Sequence, residues 1–241
     1  MTITTSTKPR RAGDTGYAKS NETRSRIIRA ALKMFGELGF EGASTRDIAA
    51  EAGVNAPALQ YHFNNKEGVY IACVVHIIAQ SREAFDDVLT AGQQALDAQC
   101  DDEALIEAFC SIQKRIVDLT LREPESGEGE GERAFMYREQ AGLAPKLGND
   151  LFHQGMTKPI MNVTSAIVGR LLGKPANDDE TILRTIAVSG ITEVFNSIHK
   201  NTAGHHGWGS TTDEQAKLIN QIVKESTVAV LRALVVERTT A

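Results

Sequence analysis

Ser44 to Lys66 reads STRDIAAEAGVNAPALQYHFNNK, and the order of its residues prescribes two short helices about a tight turn. Ser44 opens the first helix: its hydroxyl can accept a backbone N–H, and Asp47 three residues on completes a pair resembling a capping box. Ile48, Ala49 and Ala52 give that helix a small apolar face. Gly53 supplies the permissive backbone that a helix end requires, and Val54 can fill the corner. Asn55 caps the second helix, with Pro57 in its first turn, where a missing N–H costs nothing. Leu59 and Phe63, four apart, face inward, which leaves Pro57, Ala58, Gln60 and Tyr61 outward. A capped helix, a glycine turn and a short helix offering small, amide and aromatic side chains make a helix-turn-helix shaped for a DNA major groove.

Around this core, the run from Thr23 to Cys73 resembles the DNA-binding domain of the tetracycline-repressor (TetR) family of bacterial regulators. The likeness rests on an opening helix ending in Phe35-Gly36-Glu37-Leu38-Gly39-Phe40. It continues through Arg46-Asp47-Ile48-Ala49, Ala52-Gly53-Val54 and Leu59-x-x-His62-Phe63-x-x-Lys66-Glu67. Gln60 departs from the pattern, standing where the family usually has tyrosine. Further on, Arg138-Glu139-Gln140, Gly207-Trp208 and Leu218-Ile219-Asn220-Gln221 resemble the C-terminal domain of the CecR-like subgroup. These resemblances imply a repressor: a homodimer paired through its last two long helices, bound to a near-palindromic double-stranded operator and released by a small-molecule effector. They also imply that the helix after Lys66 links head to body, so that a small tilt there moves the recognition helix. No cofactor, metal or catalytic residue is expected.

For DNA, phosphate contacts supply most affinity and base edges supply sequence. By position, Ala56, Pro57, Ala58, Gln60 and Tyr61 should face the groove. Gln60 can bond adenine N6 and N7, and Arg46 can reach guanine O6 and N7. Pro57 and the alanines can only pack against thymine methyls or the sugar-phosphate surface. Ser44, Thr45, His62 and Lys66 are candidates to hold phosphates, with Asn55 at the mouth of the second helix. His62 can equally help Phe63 to close the small three-helix core.

The 241 residues have room for one large domain or two small ones. A net charge of −5 looks unsuited to DNA until its distribution is read. Residues 1–70 hold ten Lys/Arg against seven Asp/Glu, while the remaining 171 hold sixteen against twenty-four. A weakly basic head on an acidic body suits a protein that offers one end to phosphates. No apolar run approaches the roughly 18 residues of a membrane span, and the polar first twenty residues are no secretory signal, so the cytoplasm is the expected compartment. Cys73, Cys100 and Cys110 fit no metal or redox spacing and read as small buried residues, with a sensor thiol as the alternative. An enzyme is the rival class, through a cluster of His199, His205 and His206 with Glu193. It lacks the H-E-x-x-H or cysteine spacing that a metal site uses.

Periodicity makes the whole chain all-α, with an N-terminal three-helix domain and a C-terminal helical domain for ligand binding and dimerisation. Residues 1–20 read as a disordered basic arm, 21–68 as the helix-turn-helix domain and 69–241 as the body. Helices are predicted over Thr23–Gly39, Lys66 to about Leu89, Asp101–Leu121, Pro145–Gly173 with a bend near Pro159, Asn177–His199 and Asp213–Val236. Arg122 to Arg133, rich in glycine and glutamate, reads as a surface loop, with one helical turn after it at Ala134–Gln140. Residues 200–210 form a second glycine-rich loop. The body should surround an apolar pocket with a few polar groups. Its candidate lining residues are Phe109, Gln113, Met136, Arg138, Glu139, Phe152, His153, Phe195 and His199.

Overall fold

The computed structural model describes residues 12–121, 128–140, 142–143, 145–202 and 212–240, without the side chains of 12–17, 128, 130, 140 and 194–202. Ten α-helices follow in chain order: α1 (Ala12–Gly42), α2 (Thr45–Glu51), α3 (Ala56–Phe63), α4 (Lys66–Asp97), α5 (Asp102–Leu121), α6 (Glu128–Gln140), α7 (Lys146–Phe152), α8 (Lys158–Leu172), α9 (Asp179–Thr202) and α10 (Asp213–Thr240). A π-helical turn, His153–Thr157, joins α7 to α8. No strand occurs among the described residues, so the all-α reading of the periodicity holds.

The helices group into two compact units. The described residues of 1–77 and 125–151 form one, and those of 78–124 and 152–241 form the other. The first unit is therefore larger than the 21–68 head expected from sequence, because it keeps the start of α4 and takes back α6 and nearly all of α7. Its core takes one face of α1: Ile27, Ile28, Ala31, Leu32 and Phe35 are buried with Ile48, Leu59, Phe63, Val69 and Cys73, while Leu38 of the same helix is exposed. The helical start at Ala12 corrects the expected arm for residues 12–20, while 1–11 lie outside the described residues. Extending an existing helix backwards adds one hydrogen bond per residue ordered and needs no new nucleus.

Helix α6 corrects the sequence reading more sharply. Residues 128–133 belong to it, although Gly129 and Gly131 read as loop punctuation; 122–127 lie outside the described residues. Gly131 is there for proximity. A Cβ on it would stand 2.6 Å from the Cα of Lys33 on α1, and one on Gly36 of α1 would stand 2.5 Å from the carbonyl oxygen of Gly131. With both side chains absent the two backbones meet, and neighbouring groups engage. Phe135, 1% exposed, puts its ring centroid 5.0 Å from Tyr70 and 6.4 Å from Phe35. Arg138 donates through Nε to Gly36 O at 2.9 Å and through Nη2 to Glu37 O at 3.1 Å. These are carbonyls near the end of α1's main run, which breaks at Gly39 with φ 75°. A cation there satisfies orphan acceptors at the negative pole of the helix.

The second unit buries Leu105, Ile106, Phe109 and Ile112 of α5 against Val163, Ile167, Val168 and Leu171 of α8, with Val188 of α9 and Leu231 and Leu234 of α10. One amide is fully enclosed. Gln113 donates to Val188 O at 3.0 Å and to Thr192 Oγ1 at 3.3 Å, and its oxygen accepts from Thr227 Oγ1, so α5, α9 and α10 share one satisfied polar knot. Just before Pro159, where the sequence suggests a bend, the chain passes through the π-turn. Pro159 has no N–H to offer Gly155 O four residues back, and Arg82 Nε donates to that oxygen at 3.4 Å. Burial pushes the Cys110 thiol up to about 11 and that of Cys73 higher still, so both stay protonated as buried apolar residues do; Cys100 is half-buried.

The α1–α6 approach is directly testable. Gly36→Ala must push two backbones apart and should lower stability by about 1–3 kcal/mol, seen as a reduced urea midpoint with far-ultraviolet helicity retained. An unchanged midpoint would show that α6 does not rest on α1 at this distance.

Candidate nucleic-acid interface

Local bonds shape the reading helices at every terminus. Ser44 caps α2, its Oγ accepting from Asp47 N–H at 3.1 Å while its hydroxyl donates to the Asp47 carboxylate. At the other end Gly53, with φ 63°, donates to Ala50 O at 3.0 Å, and Val54 donates to Ala49 O at 2.9 Å. That paired pattern is a Schellman motif, and it closes the helix over the left-handed glycine. Asn55 Oδ1 then accepts from Ala58 N–H at 2.9 Å to cap α3, with Pro57 in the first turn. Each of these features was readable in the sequence.

Leu59 and Phe63 are buried, which turns the rest of α3 outward. Tyr61 is 83% exposed, beside exposed Ala56, Pro57 and Gln60 and half-buried Ala58. Arg46 is exposed on α2, with Ser44 and Thr45 half-buried before it. His62 is half-buried, its ring 5.3 Å from that of Tyr61 and 6.1 Å from that of Phe63. Lys66 is engaged locally: its Nζ lies 4.5 Å from the centre of the Phe40 ring and 3.4 Å from Glu41 O. The eleven residues singled out from sequence therefore lie on or beside the two reading helices and the start of α4.

Sequence spacing missed the cations of α1 that hold this layer. Arg24 stacks over the Phe63 ring at 5.3 Å, and Lys33 pairs with Glu51 of α2 at 2.7 Å. They were legible only as charges on the far faces of an amphipathic helix, because their partners lie many residues away.

The proposed ligand-lining residues divide between the units. Arg138 holds the α1 carbonyls already described. Glu139, 5% exposed, accepts from Tyr70 Oη at 2.5 Å. Burial pushes the Glu139 carboxyl above its ordinary range, and burial followed by the Glu139 contact pushes the Tyr70 phenol far above its own. Met136 is half-buried on α6. Phe109 and Gln113 belong to the core of the second unit, Phe152 is buried and His153 is exposed. The side chains of Phe195 and His199 lie outside the described residues, as do His205, His206 and Trp208. A shallow groove of about 510 Å³ on α5 and α10, floored by Ile106 and Val228 between Glu103, Glu107, Lys224 and Arg232, includes none of the nine. No helix among the described residues is long and apolar enough to cross a membrane.

Comparison with known proteins agrees with this geometry. Residues 27–73 match the family model described as bacterial regulatory proteins, tetR family. Residues 105–234 match the C-terminal domain of the HTH-type transcriptional dual regulator CecR. The chain is 30% identical to CecR of Shigella flexneri over 206 residues, 85% of this chain and 89% of that protein. It is 40% identical over 55 residues to the class A tetracycline repressor from transposon 1721 of Escherichia coli, 23% of this chain and 26% of the repressor. The fold is shared with a TetR transcription regulator from Haloarcula marismortui at a TM-score of 0.54 and 16% identity, covering 87% of this chain and 98% of the other. Such proteins are regulators and not enzymes.

The buried carboxyl makes a prediction about pH. Unfolded, Glu139 titrates near its ordinary 4.5, whereas the folded protein holds the proton more tightly. Its contribution to stability is thus present in full below the unfolded value and is lost as pH rises through the higher folded one. Glu139→Gln, neutral throughout, should gain stability relative to the parent between about pH 4.5 and 7, measured as the difference in urea midpoints. A difference that stays flat across that range would show that the carboxyl is solvated.

Proposed function

The chain belongs to the TetR family of bacterial regulatory proteins and is a DNA-binding transcriptional regulator; from that premise we propose that it is a homodimeric repressor of a near-palindromic operator, released by a small molecule. The observation that carries the reading is the outward face of α3, where Gln60 and Tyr61 stand free on a helix capped at its N-terminus and fastened by Leu59 and Phe63. Gln60 reads adenine and Arg46 guanine, while Ser44, Thr45, Asn55, His62 and Lys66 hold the backbone. Ala56, Pro57 and Ala58 give close apolar contact.

One such head makes too few contacts for specificity, and a second copy supplies the other. Support for the pairing comes from apolar side chains that the second unit leaves in solvent. On α9, Leu183 (66% exposed) and Ile186 line up with Ala187 and Gly190 at three- and four-residue spacing, and no atom lies within 4 Å of a Cβ placed on Gly190. On α10, Leu218, Ile222, Val230 and Val236 are exposed in turn. Two-fold pairing of these stripes gives two heads, which meet half-sites about one helical turn of DNA apart. We place the effector site at Phe152 and His153 of the second unit, the last residue of α7 and the first of the π-turn, a backbone irregularity common at functional sites. Binding there favours a head spacing that no longer matches successive grooves, with about 1–3 kcal/mol of coupling. A regulator of this kind acts in the cytoplasm. Because the CecR relative is named a dual regulator, activation from differently placed operators is the second reading.

The test combines gel shift on the DNA upstream of the chain's own coding region with sedimentation. The parent should sediment as a dimer and shift that DNA in a salt-sensitive way. The pair Leu183→Glu and Ile222→Glu should yield monomers that lose specific binding, and Gln60→Ala should relax preference at one base pair by about 1–3 kcal/mol. A parent that is monomeric, or that binds every duplex alike, contradicts the proposal.

A further inference from the structure

Helix α2 ends with its carbonyls only partly used. Ala52 N–H takes Ile48 O, Gly53 N–H takes Ala50 O and Val54 N–H takes Ala49 O. The oxygens of Ala52, the C-cap, and of Gly53 lie in the turn at the negative end of the helix. Both accept from a single nitrogen of α1: Arg26 Nη2 lies 2.6 Å from Ala52 O and 3.0 Å from Gly53 O. A Cβ on Gly53 would stand 2.8 Å from that same nitrogen. The turn residue is therefore held to glycine twice over, by its φ of 63° and by the guanidinium filling the space beside it. Arg26 is itself anchored, since Ile27 and Ile28 next to it are fully or nearly fully buried.

We propose that Arg26 is a positioning residue for sequence reading: it pins the turn between α2 and α3 to α1 and so sets the direction in which α3 enters the groove. This rests on α3 being the groove-entering helix. The four residues from Ala52 to Asn55 carry the whole change of direction between the two helices, and Arg26 holds two of the carbonyls in that stretch. Its role is to carry no base information and to neutralise no phosphate. Loss of the clamp lets α3 swing about Gly53, which degrades specific recognition and leaves the charge-driven attraction for any duplex in place.

The experiment uses the full-length protein and duplexes that it enriches from a random library. If the parent enriches no sequence, the reading of α3 fails, whatever Arg26 does. Given enrichment, Arg26→Met, similar in length and without donors, should lose about tenfold or more in affinity for the enriched duplex. Binding to heterogeneous DNA and the slope of affinity against salt should stay unchanged. Arg26→Lys, whose ammonium has donors for both carbonyls, should recover most of the loss. Thermal melts fix the folded fraction, and if Arg26→Met is unfolded at the assay temperature, Arg26→Leu, also without donors, replaces it. A salt slope lower by about one would make Arg26 a phosphate contact; that result overturns the proposal, as do unchanged specific affinity and a Lys variant no better than Met.

Discussion

Between Gly36 on α1 and Gly131 on α6 no side chain intervenes, and that close approach organises the first unit. Where backbones nearly touch, the groups on either side are forced into register: Phe135 meets Tyr70 and Phe35, and Arg138 meets the carbonyls near the break in α1. Burial of these groups then leaves the Glu139 carboxyl in an environment with little water, where the Tyr70 hydroxyl is its partner. A buried carboxyl and a satisfied guanidinium are stable only while both helices keep their distance. Helix α1 thus supports α6 along one stretch and the reading helices along another.

The reading helices show a different economy. Their ends are closed by short-range bonds from Ser44, Gly53 and Asn55, so that each terminus is satisfied within a few residues. What short-range bonding does not provide is orientation. That comes from α1, through Arg24 over Phe63, Lys33 to Glu51 and Arg26 to the turn. On the proposed reading, the groups that aim the helix are therefore distinct from the exposed side chains of α3 that meet DNA.

Gln113 illustrates how a residue type can point two ways. An amide amid apolar neighbours suggests a pocket with a polar anchor. In the structure its donor and acceptor are occupied by Val188, Thr192 and Thr227, which makes it a tie between three helices. Arg138 and Glu139 carry the same lesson. Their chemistry is that of a binding site, yet their partners are backbone carbonyls and a phenol of the first unit.

The helix-turn-helix, the helical class and the outward face of α3 were all legible in the chain, because caps, glycine turns and three-to-four spacing act over distances shorter than one helix. Helix α6 was not, because a glycine that breaks a helix and one that admits a neighbour are the same letter. Only the presence of α1 opposite Gly131 tells them apart. Likewise the roles of Arg26, Arg138 and Gln113 depend on partners from about 26 to over 100 residues away. Local pattern decides what each segment becomes, and long-range packing decides which polar groups are left to meet a partner.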